Sequence, residues 1–157
     1  MVMEIRKAKK GDLKRIDEIY VLGTFDEEKL QNRKLTKNKW KKIMNSHKKQ
    51  RQSSMKKDLM SKKHYWIVAE DDKEIVGFGQ IHIINSSQAE LEKLYIEEEF
   101  RGRGIASKIE KSLGVWLKKK NISKIYSRIL LKNKPSIQFH MKSGFKQTAV
   151  RVDKKIK

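Results

Sequence analysis

The sequence predicts a mixed α/β (α+β) domain, and three observations carry that reading. Short runs with strand-like alternation or β-branched content recur along the chain. Between them lie longer segments whose apolar residues fall at helical spacing. The 157 residues suffice for one core, without repeats or a second domain, so one domain is expected over residues 1–157. The expected order is β-α-α-β-β-β-α-β-α-β.

The elements follow in order. "MEIRKA" (Met3 to Ala8) alternates and reads as the first strand. A turn at Gly11 leads to Asp12 as N-cap, with Leu13, Ile16, Ile19 and Tyr20 on one helical face and Gly23 as the stop. From Lys29 to Lys63 apolar residues are sparse. Trp40 to Met44 and Met55 to Met60 have helical spacing, which predicts two helical pieces joined around "HKKQRQSS". "HYWIVAE", "IVGFGQIHII" and "QAELEKLYI" read as three antiparallel strands, His64 to Glu70, Ile75 to Ile84 and Gln88 to Ile96. Ala106, Ile109, Leu113, Trp116 and Leu117 share one face of a helix reaching about Lys120. "SKIYSRILL" (Ser123 to Leu131) is a further strand. "NKPSIQFHMKSG" holds the lone proline near a helix start and Gly144 after its end. "FKQTAVRVDKKI" alternates and is expected to close the sheet.

Composition narrows the function. No stretch approaches the ~20 apolar residues of a membrane span, and "MVMEIRKAKKGD" lacks the apolar core of a signal peptide. Cysteine is absent, which removes disulfides, thiolate metal sites and a cysteine nucleophile. A soluble cytoplasmic protein is expected. The net charge of +20 has two readings: a field that draws in an anionic partner, or background composition, since only eight of the 39 basic residues are arginine. Between Lys29 and Lys63 fourteen Lys or Arg face one acid, Asp58. That region reads as a solvated helical cover or as a basic rim over a substrate.

"EEEFRGRGIASK" (Glu97 to Lys108) carries the most chemistry. A strand that runs into a glycine-bearing turn and then a helix aims several N–H groups at one point, where the helix dipole also favours an anion. Gly102 and Gly104 allow close approach of the main chain, and Arg101 and Arg103 add charge. A nucleotide P-loop is excluded, because no Gly-Lys-Ser/Thr follows.

"LEKLYIEEEFRGRGIASKI", followed by "NKPSIQFHMKSGF", resembles the two signatures of the GNAT superfamily of acyl-CoA-dependent N-acetyltransferases. The resemblance runs from Tyr65 to about Phe145. It implies a mostly antiparallel sheet of six to seven strands with helices on both faces. It also implies acetyl-CoA as co-substrate, with no metal. The pyrophosphate would then lie on the main chain of Arg101, Gly102, Arg103, Gly104, Ile105 and Ala106. The pantetheine arm would lie along Leu94, Tyr95 and Ile96, and Asn133 would touch the same arm or cap its helix.

Acetyl transfer to an amine requires a base for the ammonium proton and an acid for the leaving thiolate. Glu90 and Glu92, two residues apart on one strand face, are the base candidates, and Glu90 matches the family position. An N–H near Ile96 suits the oxyanion. Where the family usually has a tyrosine acid this chain has His140, which reads as that acid or as a spectator, with Tyr126 and Tyr95 as other phenols. The resulting expectation is an N-acetyltransferase acting on a primary amine of a small molecule or protein, with an anionic acceptor or assembly favoured by the basic charge. The alternative is an acyl-CoA-binding regulatory or ribosome/RNA-associated protein that meets nucleic acid through Lys29 to Lys63. A monomer or homodimer, without membrane contact, fits either.

Overall fold

A computed structural model describes residues 3–156. Strands β1 (Glu4–Lys7), β2 (His64–Asp71), β3 (Glu74–Ile83), β4 (Gln88–Ile96) and β5 (Lys124–Tyr126) form one sheet in chain order. β1 to β4 pair antiparallel, whereas β5 runs parallel to β4 after a helical crossover. The helices are α1 (Leu13–Gln31), α2 (Lys37–Ser46), α3 (Lys48–Met60), α4 (Ile105–Lys119) and α5 (Lys134–Lys142).

The sheet has helices on both faces, as expected, but five strands rather than six to seven. Phe145 to Ile156 forms no strand, and Val152 is 88% exposed. The strand expected through Leu131 closes at Tyr126. Alternation equips a segment to pair, but pairing needs a free edge in register. β5 offers only three residues before the chain leaves the sheet.

Three helices separate β1 from β2, where the expected element order had two, and α1 runs through Gly23 to Gln31 instead of stopping there. A Cβ at Gly23 would collide with the Tyr95 ring, so the glycine lets a β4 aromatic lie against the helix. Asp12 does not cap α1 either. Its carboxylate accepts from Lys9 N (2.7 Å) and from Arg6 (2.8 and 3.1 Å), which holds its pKa below the ordinary value. Arg6 also reaches Glu70 across the β1–β2 pair, so these ties lock the start of the chain onto the sheet.

Two cores result. Ile67, Ala69, Ile81, Ala89 and Leu91 pack against Ile105, Ile109, Leu113 and Leu117 of α4. On the other face Trp66, Val68 and Phe78 pack against Ile16 and Ile19 of α1 and Met55 of α3. Each such aliphatic side chain contributes about 1.5–3 kcal/mol when fully buried. The lysine-rich α3 is held by one internal ion pair. Arg51 Nε meets Asp17 Oδ1 at 2.5 Å, and Gln52 adds a bond to the same carboxylate.

Candidate active site

β4 is where the sheet opens. Its pairing with β5 covers Gln88, Ala89 and Glu90 alone, ending at the Glu90–Tyr126 pair. Past this point Ser127 Oγ donates to Leu91 O (3.2 Å) and the two strands part. The main chain of Glu92 to Ile96 therefore pairs with β3 on one side and leaves its other edge toward the opening.

The opening leads to the glycine loop. Gly102 and Gly104 have φ of 76° and 75°, and a Cβ built on either would meet no protein atom within 4 Å. Left-handed backbone here is costly for any residue with a side chain. Gly104 immediately precedes α4, whose first-turn N–H groups have no intrahelical acceptor. This concave set of amides at a helix start suits an anion. The arginine side chains are otherwise engaged. Arg101 donates to Ile96 O (2.9 Å) and Asp26 (2.7 Å), and Arg103 donates to Glu99 O (3.0 Å) while lying over the Phe100 ring. They brace the loop, and the main chain is left to face a ligand.

A register shift in β4 shapes the pocket beside the opening. Gln80 pairs with Lys93 and Ile81 with Leu91, so Glu92 is the extra residue of a bulge. The bulge turns Lys93 onto the face that already holds Glu90. Glu90, Glu92 and Lys93 thus line one cavity of about 320 Å³ with Tyr20, Leu91, Tyr95 and Arg128. Both base candidates are together, as two-residue spacing suggested.

Glu90 is 4% exposed, and its oxygens accept from Arg128 Nε (2.7 Å) and the Tyr126 hydroxyl (3.3 Å). Desolvation and the Glu90 charge raise the Tyr126 pKa, which keeps that phenol a donor. Glu92 meets His82 Nδ1 at 3.3 Å, and His82 stacks on His64 with ring centroids 4.4 Å apart. His64, His82 and Glu92 bring three ligand-type atoms within 4.8 Å. The two rings are inclined by only 10°, so in this arrangement they cannot both aim an in-plane lone pair at one ion about 2 Å away.

Leu94 and Ile96 turn their side chains into the α4 core, while Tyr95 crosses to α1 and donates to Glu27 (3.2 Å). Burial, then the neighbouring Glu27 and Tyr20, raises the Tyr95 pKa well above the phenol range. Asn133 caps α5, its side-chain oxygen accepting from Ser136 N (3.3 Å). His140, on α5, does not line the Glu90 pocket. It is 4% exposed, edge-on to Phe139 and Phe145, and Nδ1–H donates to Ser136 O (2.7 Å). A carbonyl only accepts, so the neutral ring presents Nε2 as a bare lone pair. Nε2 is buried without a partner among the described residues.

Residues 27–145 match the model of the Acetyltransferase (GNAT) family. The chain belongs to that family. No curated protein sequence matches it. Among solved structures the GNAT chain resembles the PaiA N-acetyltransferase of Thermoplasma acidophilum, solved with coenzyme A. Identity is 21% over 96% of this chain and 94% of that one, with a TM-score of 0.83. It resembles aminoglycoside N-acetyltransferase AAC(6')-Iy, also solved with coenzyme A, at 17% identity over 99% and 95% of the chains, with a TM-score of 0.70. A transcriptional regulator from Bacillus halodurans matches at 21% identity over 99% and 100%, with a TM-score of 0.71. At these identities the fold is what is shared. Arg128, Lys93 and Tyr20 of the pocket escaped the sequence reading: one follows a strand that ends early, one is turned by the bulge, and one reads as helix core.

Proposed function

We propose that this GNAT protein transfers the acetyl group of acetyl-CoA directly to a primary amine. The observation that carries the reading is the open β4–β5 edge, which runs from the carboxylate pocket to the Gly102–Gly104 loop. Acetyl-CoA supplies the activated acyl group. Main-chain amides from Arg101 to Ala106 would hold its pyrophosphate, and β4 from Leu94 to Ile96 its arm. The oxygen of Asn133 is spent on the cap, so its amide N–H₂ is the group left to reach that arm.

Glu90 would receive the ammonium proton, directly or through water, and Glu92 is the second candidate. Arg128 and Tyr126 fix the Glu90 carboxylate from one side, which orients it for an amine approaching from the pocket. His140 would protonate the departing thiolate. With Nδ1 committed to Ser136, the proton passed to the thiolate would have to come from Nε2.

The test is an amine panel with acetyl-CoA and free-thiol detection, paired with calorimetry of coenzyme A binding. Gly104→Asp places a carboxylate and a Cβ where the φ and the ligand leave no place for either. Affinity for coenzyme A should fall by about 100-fold or more, since like-charge contact costs several kcal/mol. Unchanged affinity would remove the cofactor assignment.

A further inference from the structure

Behind the pocket wall, the α1/α3 face of the sheet carries a polar row that the transfer reaction does not use. Trp66, Gln80 and Lys93 are register partners across β2, β3 and β4. Lys93 Nζ donates to Gln80 Oε1 at 2.6 Å and stands 5.5 Å from the Trp66 ring centroid and 5.9 Å from that of Tyr20. Gln80 and Trp66 are 0% and 1% exposed. With its oxygen taken, Gln80 is left with a buried amide nitrogen, and Trp66 with a buried Nε1–H. Neither has a partner among the described residues.

The row is therefore rich in donors and short of acceptors. Buried donors are normally satisfied, and Gln80 and Trp66 lie too deep to meet a ligand, so an acceptor from outside can reach only Lys93. Lys93 is the member that also lines the Glu90 pocket. Its nearest carboxylate oxygen, Glu92 Oε2, is 3.9 Å away, and the other Glu92 oxygen meets His82. Burial lowers the Lys93 pKa against the pull of Glu92, Asp58 and Glu90, so its positive charge is under-compensated as the protein stands.

We propose that Lys93 is the anion-recognising group of this pocket and that the acceptor is a zwitterion of amino-acid size, an amine that also carries a carboxylate. The proposal rests on the pocket being the acceptor site. Glu90 and Glu92 attract the cationic end before deprotonation, and Lys93, the member of the row that reaches the pocket, takes the carboxylate. A dianionic phosphate doubles the repulsion from the same two glutamates with a single lysine beside it. A polycation such as spermidine or an aminoglycoside sets an extra ammonium against Lys93. The cavity of about 320 Å³ has room for an acceptor of amino-acid size.

The experiment compares α- and ω-amino acids, each against its own carboxamide, with spermidine alongside. Wild-type kcat/KM should favour the best amino acid over its carboxamide by about tenfold or more, the effect of one well-placed charge pair. Lys93→Met keeps the aliphatic stem and should lower kcat/KM for the amino acid about tenfold more than for its carboxamide, mainly through KM, while Lys93→Arg should keep part of the preference. Equal rates on acids and carboxamides, faster turnover of spermidine, or an equal fall on both partners in Lys93→Met would overturn the proposal. Calorimetric titration of the coenzyme A complex with the same compounds separates the two readings. Lys93-dependent amino-acid binding without acetyl transfer sinks the transferase reading alone. Transfer without carboxylate preference sinks the zwitterion alone, and no amino acid bound in either assay also overturns it.

Discussion

The two faces of the sheet are built from the same strands by opposite rules. Toward α4 the strands present apolar residues such as Ile67, Ala69, Val76, Ile81, Ala89 and Leu91, with Gly79 letting Ile109 and Leu113 come close, and four helix residues close over them. Toward α1 and α3, Trp66 and Phe78 share the surface with Gln80, Lys93, His64, His82 and Glu90. An apolar face is filled as tightly as its side chains allow, and adds stability. A face that mixes buried donors and carboxylates with aromatics gives up some of that stability to hold charges in place. The sheet is anchored on one side and polar on the other, and the β4 bulge turns a further charged side chain toward the polar side.

The largest test of this contrast is a pair of truncations. Ile109→Ala empties the centre of the α4 face and should cost about 2–5 kcal/mol in denaturant unfolding. Lys93→Met exchanges a half-buried charge for an apolar chain of similar length but leaves Gln80 Oε1 without its donor, and should cost about 1–2 kcal/mol, less than Ile109→Ala. Equal losses at both sites would erase the distinction.

Next in size is the chemistry of the polar face. Glu90→Gln should lower turnover roughly 100-fold, most strongly at low pH where free amine is scarce, with coenzyme A affinity intact. A larger effect from Glu92→Gln would assign the base to the bulged residue.

His140 approaches from α5, outside that pocket. His140→Ala should also cut turnover by roughly 100-fold if it protonates the thiolate, whereas His140→Tyr should keep activity and move the basic limb of the pH profile upward toward the phenol range near ~10. Wild-type turnover with an unmoved profile in the alanine variant would make His140 a packing residue.

The smallest effect is a pH dependence confined to the polar face. Burial lowers the His64 pKa below its ordinary ~6.5, with Asp58, His82, Glu92 and Lys93 facing it. The unfolded chain then binds the proton more readily, so stability is full above about 6.5 and declines as pH falls through the folded value. His64→Gln should flatten that decline in melts between about pH 7 and 5. A slope equal to wild type would place the titrating group elsewhere.

Sequence alone determined the four main strands, the helix after the glycine loop, and the left-handed turn at Gly102 and Gly104. Each depends on local periodicity or on a backbone conformation that only certain residues adopt. It likewise set Glu90 beside Glu92, because strand parity is a local property. Tertiary structure decided the rest. Gly23 looked like a helix stop because its close contact with Tyr95 is 72 residues away in the chain. The closing alternation of Phe145 to Ile156 never became a strand, since an edge to pair with cannot be read from the segment itself. Lys93 carried no signal in the sequence, because only a one-residue bulge turns it inward to Gln80 and Trp66. Register and long-range contact depend on which surfaces meet, and that information lies in the fold as a whole.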